Sequence, residues 1–362
     1  MGKYTMKRGA LLIVAIAVLS FVFGVNAMAA DPIVMKIGNP GPADPHKHMI
    51  AAATLEFKDY VERNTQGGIK VEVYPGFQLG TMPEMVDATK LGAIQACTVF
   101  SAAATLYVPE INLIYIPFLF SSPEITWRVF SGPFGEKFNE LWLQAGFVPL
   151  YMADNGGSRA FGTTKRQIAS PKDLGGLKIR IPESEALKIF IESFGAAAPV
   201  ITFNQLYTAI QTGIVDGLET PLAVLSFASL DEVIKYASVT NHTWDMVFLI
   251  VNQKWFQGLP REYQRILIEA GRHAEQVCRG MSETLAAQEV DVLLSKGVKV
   301  HTPTPEERDQ FRKVSQKPVT DYLRKQFGSQ LVDDFLAAVK EAEKEAEADT
   351  QKRFSLIGKY LK

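Results

Sequence analysis

Apolar positions along the chain follow two alternating rhythms. Ile33-Val34-Met35-Lys36-Ile37 is a short apolar run closed by Gly38-Asn39-Pro40-Gly41, which predicts a strand running into a turn. Residues 49–64 then carry Ile50, Ala53, Phe57, Tyr60 and Val61 at three- and four-residue intervals, the spacing of one helix face. Gly67-Gly68 stops that helix, and Ile69-Lys70-Val71-Glu72-Val73 alternates as a strand does. Pro83 followed by Glu84 marks a helix start. Proline's missing N–H is no loss in a first turn, and a carboxylate suits the positive end of the helix dipole. Residues 94–100 form the next apolar run. Strand-helix-strand order of this kind predicts a parallel α/β sheet with helices on both faces.

A second block of the same character begins near Asn155. Leu177-Lys178-Ile179-Arg180-Ile181 reads as a strand closed by Pro182, residues 183–193 and 203–212 as helices, and 239–242 and 247–251 as two more strands. Two consecutive α/β blocks predict two lobes with a cleft between them, and in open α/β sheets such clefts lie outside the carboxyl ends of the strands. From about residue 260 the pattern is helical, over 260–296, 305–326 and 329–354, broken by a short strand at 298–300. The run KEAEKEAEAD at 340–349 is a solvated helix face with no function assigned to it.

The first thirty residues stand apart. Lys3, Lys7 and Arg8 precede an uncharged apolar run over 10–24, followed by Ala27-Met28-Ala29. That is the build of a secretory signal peptide, cleaved at about residue 30. The run of about 15 residues is shorter than the roughly 20 that span a bilayer. No later stretch is long and apolar enough either, so the processed chain is expected to be soluble and periplasmic. No cysteine lies near the cut, which argues against a lipid anchor. The whole chain carries a net charge of −1. Losing a leader with three cations and no acids leaves the remainder mildly acidic, with both signs mixed. Nucleic-acid binding, which needs clustered Lys and Arg, is excluded as a function class. Cys97 and Cys278 are read as small buried apolar residues, because a chain this long needs no disulfide staple.

Catalytic motifs were sought and are missing. There is no G-x-G-x-x-G after a strand, no G-x-x-x-x-G-K-[ST], no H-E-x-x-H and no G-x-S-x-G. The five histidines lack metal-ligand spacing, and the nearest approach, His46-x-His48, reads as the start of the following helix. The sequence therefore predicts no catalytic residues, no metal and no cofactor.

Four segments carry a family resemblance: Tyr74-Pro75-Gly76-Phe77-Gln78-Leu79-Gly80, Ile116-Pro117-Phe118-Leu119-Phe120, the ten residues from Asp173 to Pro182 (DLGGLKIRIP), and Gln211-Thr212-Gly213-Ile214-Val215-Asp216-Gly217-Leu218-Glu219. In this order, behind a signal peptide, they resemble the substrate-binding proteins of TRAP (tripartite ATP-independent periplasmic) transporters. The resemblance covers essentially the whole processed chain. It implies an α/β, two-lobed periplasmic binding protein fold, with a long helix crossing both lobes and a ligand cleft between them. The corresponding partition places 31–156 and 246–285 in the first lobe and 157–245 and 286–362 in the second. It also implies capture of a small organic carboxylate and its delivery to the membrane subunits of a sodium-driven TRAP permease. Two other functions are compatible with an exported binding fold: ligand sensing for a membrane receptor, and enzymatic action on an organic acid, for which the sequence supplies no catalytic set.

The resemblance also singles out residues. Arg180 falls on the family's carboxylate-clamping arginine. A guanidinium forks onto a carboxylate through two parallel hydrogen bonds, which lysine does not reproduce. From its residue pattern alone, Arg180 reads rather as an arginine in a surface or interlobe salt bridge. Arg159 falls where relatives often carry a ligand-facing arginine, with a structural role in a Gly-rich crossover as the alternative. Thr220 departs from the pattern, since many relatives have asparagine between the Glu and the Pro of this motif. Its hydroxyl still offers one hydrogen bond. Asn39, Phe100 and Phe203 fall on positions that commonly line the site, and Trp244 lies just beyond Asn241-His242, near where the chain recrosses between lobes; together the aromatics point to an apolar wall, or else to ordinary core packing.

Overall fold

The structure, a computed structural model, describes residues 31–360; the expected leader lies outside the described residues. A mixed sheet organises the chain in the order β2-β1-β3-β8-β4-β6-β5. Its first half comprises β1 (Ile33–Gly38), β2 (Ile69–Tyr74), β3 (Ala96–Phe100), the body of β8 (Trp244–Asn252) and the start of β4 (Phe147–Thr163). The second half comprises the end of β4, β6 (Gly217–Pro221) and the two-residue β5 (Ile179–Arg180), with β7 (Tyr236–Ser238) and β9 (Lys299–His301) alongside.

The all-parallel expectation needs correction. β1 pairs parallel with β2 and β3, and β5 with β6, but β3–β8, β8–β4 and β4–β6 are antiparallel. The reason is the crossing itself. β4 carries the chain from one lobe to the other and β8 carries it back beside β4, so the two must run in opposite directions. The turn at 239–242, expected as a strand, lies between β7 and β8. Asn241 sits there at φ +48°, which breaks the extended run.

The 17-residue β4 bends where it crosses. Its register against β8 shifts between Asp154 and Gly157, leaving a bulge at Asn155-Gly156. Gly156 and Gly157 adopt φ of +83° and +77°, a region that L side chains reach only with strain. After the bulge, β4 pairs with β6 from Arg159↔Pro221 to Thr163↔Gly217.

The 35-residue helix Arg261–Ser295 also crosses both lobes. At 1.5 Å per residue it runs roughly 50 Å. Ile266, Leu267, Ala270, Ala274, Cys278 and Ser282 form its buried stripe at mostly three- and four-residue spacing, and Glu289 and Leu293 continue it toward the end. Its beginning packs on helix Met49–Asn64 and β4, and its end on helix Leu222–Phe227 and β9. Gly271 permits the closest approach, because a Cβ there would lie 2.1 Å from the Leu150 carbonyl oxygen. Cys97 and Cys278 are free and fully buried, as the sequence predicts.

The last helix, Ser329–Tyr360, departs from the expected partition. Helix Pro305–Phe327 packs on Glu185–Glu192 in the second lobe, but Ser329–Tyr360 returns to helix Pro123–Phe130 in the first. Phe335 wedges among Phe120, Phe130 and Phe134, and Arg128 pairs with Asp349 at 2.6 Å. An aromatic knob buried on first-lobe helices fixes this segment there. Among the described residues, no helix is long and apolar enough to cross a membrane.

Candidate functional site

The two lobes meet over a narrow cavity that opens to solvent at its mouth. Arg180 and Thr220 approach from the second lobe, Phe77 and Phe100 from the first, and Asn155 and Arg159 from the crossing strand.

Arg180 ends β5, and Pro182 stops the strand two residues later. The residue is only 3% exposed. Its Nε donates to the Ile201 carbonyl oxygen at 2.7 Å, which fixes the plane of the guanidinium. Among the described residues, no carboxylate forms an ion pair with it. Burial lowers its pKa to about 10, with the attraction of Glu219 offsetting part of that and Arg159 adding repulsion. The group stays cationic at neutral pH, beside a cavity and without a counter-ion. A bound anion would relieve that desolvated charge.

Arg159 is arranged in the opposite way. Glu219 accepts from its Nε at 2.5 Å and its Nη2 at 2.7 Å, and Asp245 accepts from its Nη1 at 2.6 Å. Burial opposes its charge, but Glu219 and Asp245 outweigh burial and raise its pKa. Burial also pushes the Glu219 carboxyl up, but Arg159 and His242 more than reverse this and hold it low. For Asp245 burial wins over Arg159, Ser101 and Asn155, and its pKa is raised. His242 stacks between Phe161 and Phe190 at centroid distances of 4.6 and 4.8 Å. Arg159 lines the cavity, but its charge is committed to protein acids.

Thr220, Phe100 and Phe203 also line the cavity. Phe203 sits 6.1 Å from Phe77 and 6.2 Å from Phe100, so one second-lobe ring meets two first-lobe rings. Thr105 Oγ1 and the Glu183 carbonyl oxygen add a contact between the lobes at 3.1 Å. The lobes are therefore closed over the cavity.

Asn39 and Trp244 lie outside this cavity. Asn39 Nδ2 donates to Thr54 Oγ1 at 3.1 Å, and its Oδ1 accepts from the Gly41 N–H at 2.8 Å, so the turn after β1 consumes the side chain. Trp244 and Asp245 are adjacent on β8 and point to opposite faces. Asp245 faces the cavity, and Trp244 packs on Phe120 and Trp127 instead. Phe77 and Asn155 are among the lining residues that sequence reasoning missed as ligand contacts. Phe77 sits in the resembling turn at φ +61°, and Asn155 sits in the bulge. An Asn-Gly-Gly run between apolar segments was the one available signal for the latter.

His48 caps helix Met49–Asn64, its Nδ1 accepting from the Ile50 N–H at 3.2 Å, which is the role at a helix start that the sequence predicts. Among the described residues, no group of three or more His, Cys, Asp or Glu side chains is placed to hold a metal ion.

A cleft between two α/β lobes, crossed by paired strands and a long helix and holding an unpaired buried arginine, defines a two-lobed solute-binding protein. The chain belongs to the bacterial extracellular solute-binding protein family 7, whose family model matches residues 42–326. It is similar to the C4-dicarboxylate-binding periplasmic protein of Rhodobacter capsulatus, with 30% identity over 332 residues, covering 91% of this chain and 96% of the relative. It is also similar to the sugar acid binding protein of Advenella mimigardefordensis in complex with galactonate (TM-score 0.81, 25% identity, 86% of this chain and 99% of the other). A TRAP periplasmic solute-binding protein of Sulfurospirillum deleyianum with bound succinate matches at TM-score 0.78 and 25% identity, covering 84% and 99%. The protein is thus a solute-binding component of the TRAP transporter class.

Proposed function

We propose that the protein captures a small organic carboxylate in the interlobe cleft, with Arg180 as the clamp, and hands it to the membrane subunits of a TRAP permease. The observation that carries this reading is Arg180 itself: a cation buried beside a cavity, with its plane fixed and no protein anion paired to it. Thr220 supplies a further hydrogen bond, and Phe100 and Phe203 supply wall. Arg159 shapes the polar end of the cleft and stays paired with Glu219 and Asp245. Residues 31–156 and 246–285 move against 157–245 and the chain up to helix Pro305–Phe327, hinging at the Asn155-Gly156-Gly157 bulge. The protein acts in the periplasm after loss of residues 1–30 and catalyses no reaction on its ligand. The named acids of its relatives support an organic acid as cargo.

Thermal-shift screening of the purified protein against an organic-acid library tests the capture step. A ligand at 100 times its dissociation constant adds about 2.7 kcal/mol to stability. Deleting the gene should then abolish uptake of the acid that the screen identifies. A library without any stabilising acid, or uptake unchanged in the deletion strain, would reject the proposal.

A further inference from the structure

We infer that the ligand is a monocarboxylic acid with an apolar body and one hydroxyl near the carboxyl end, and that Asn155 is the residue that recognises the hydroxyl. This rests on the carboxylate-binding reading above and narrows it.

The charge count comes first. Two arginines reach the cavity, but Arg159 is held by two protein acids while Arg180 is held by none. One cation is therefore available. A second ligand carboxylate would enter a closed, desolvated space lined by Asp245 and Glu183 with no second unpaired cation among the described lining residues. Burying an unpaired carboxylate is heavily unfavourable.

The second observation is Asn155. It is 3% exposed and lines the cavity. Its Nδ2 donates to Asp245 Oδ2 at 3.1 Å, which orients the amide, and its Oδ1 is buried with no hydrogen-bond partner. A buried acceptor left unpaired is unfavourable, and an O–H donor on the ligand would satisfy it. Asn155 and Arg159 share Asp245 Oδ2, so this acceptor belongs to the polar end of the cavity, where Thr220 also stands.

Thr81, Thr202 and Asn204 add polar groups to the lining, but most of its surface is apolar. Phe77, Phe100, Phe203, Met82 and Val224 form a wall suited to a branched or aromatic hydrocarbon body rather than to a chain of hydroxyls. Each ring hydroxyl or chain hydroxyl placed against such a wall would lose its water without gaining a partner.

Calorimetric titration of the processed protein with four probes tests this: 2-hydroxy-4-methylpentanoate, 4-methylpentanoate, succinate and galactonate. The hydroxy acid should bind about tenfold or more tightly than its deoxy counterpart, as expected for an unpaired buried acceptor. It should also outbind succinate and galactonate. In Asn155→Ala the hydroxyl preference, taken as the ratio of the two methylpentanoate affinities in the same variant, should fall to about threefold or less. Circular dichroism of the variant checks that it is folded. Tighter binding of succinate or galactonate, or equal binding of the two methylpentanoates by the parent, would overturn the inference. Those outcomes leave the carboxylate reading intact as long as Arg180→Ala abolishes binding of the preferred acid. Failure of every acid to bind would reject both readings.

Discussion

Glu219 grips the Arg159 guanidinium on two nitrogens, Nε at 2.5 Å and Nη2 at 2.7 Å, inside a wall where both side chains are essentially unexposed. The neighbouring Arg180 has no such partner among the described residues. The two arginines of the cleft thus divide: one is paired within the protein, and on the proposed reading the other pairs with the ligand.

That division predicts opposite effects on stability. Arg159→Ala strands two buried acids and should destabilise the ligand-free protein by about 3–5 kcal/mol. Arg180→Ala removes a desolvated, unpaired charge and should change stability by about 1 kcal/mol or less, or raise it. Urea unfolding of the ligand-free variants measures both. Equal losses would mean that Arg180 is a structural residue.

The bulge in β4 predicts a sensitive hinge. Gly156 has φ +83°, and an added Cβ would lie 3.0 Å from Pro221 Cβ. Gly156→Ala should cost about 1–2 kcal/mol from the left-handed backbone alone. In solution scattering, ligand should reduce the radius of gyration of the parent, because closure expels water from the cleft. The Ala variant should show a smaller reduction. Identical parent curves with and without a bound acid would refute hinge closure.

His48 predicts a pH dependence. Burial lowers its pKa from 6.5 to about 4, and its Nε2 has no partner. Between those two values the unfolded chain binds the proton and the folded chain does not. The stabilisation is therefore complete above pH 6.5 and is lost as pH falls toward 4, by about 3 kcal/mol in all. In His48→Asn the amide oxygen can still accept from the Ile50 N–H, so the helix keeps its cap. Denaturation at a series of pH values should show the parent losing about 3 kcal/mol more than His48→Asn between pH 6.5 and 4. Parallel curves would contradict the assignment.

Much of this architecture was legible in the residue pattern, where a single buried face imposes its period. Helix Met49–Asn64 falls on the predicted range, and the long helix Arg261–Ser295 on nearly all of its predicted range. β4 was not legible. Most of its positions are buried on both faces, so they do not alternate, and Asn155-Gly156-Gly157 in its middle reads as a loop. Arg180, Arg159, Thr220, Phe100 and Phe203 do converge on one cavity. Trp244 does not, because strand parity turned on Asp245, and nothing in the local sequence sets which of two neighbours faces the cleft. Asn39 was drawn into the turn it sits beside. The pairing of Arg159 with Glu219 and Asp245 joins segments 60 and 86 residues away, beyond what local spacing reports.

The central claim is that Arg180 supplies the charge that holds the ligand carboxylate. Calorimetric titration of the parent, Arg180→Ala and Arg180→Lys with the acid identified by screening tests it most directly. Breaking a buried pair costs about 3–5 kcal/mol, so the Ala variant should bind roughly two to three and a half orders of magnitude more weakly. Lys should recover part of that loss, since it keeps the charge without the two parallel donors. An Arg180→Ala protein that remains folded and binds within about threefold of the parent, far short of a broken buried pair, would contradict the account.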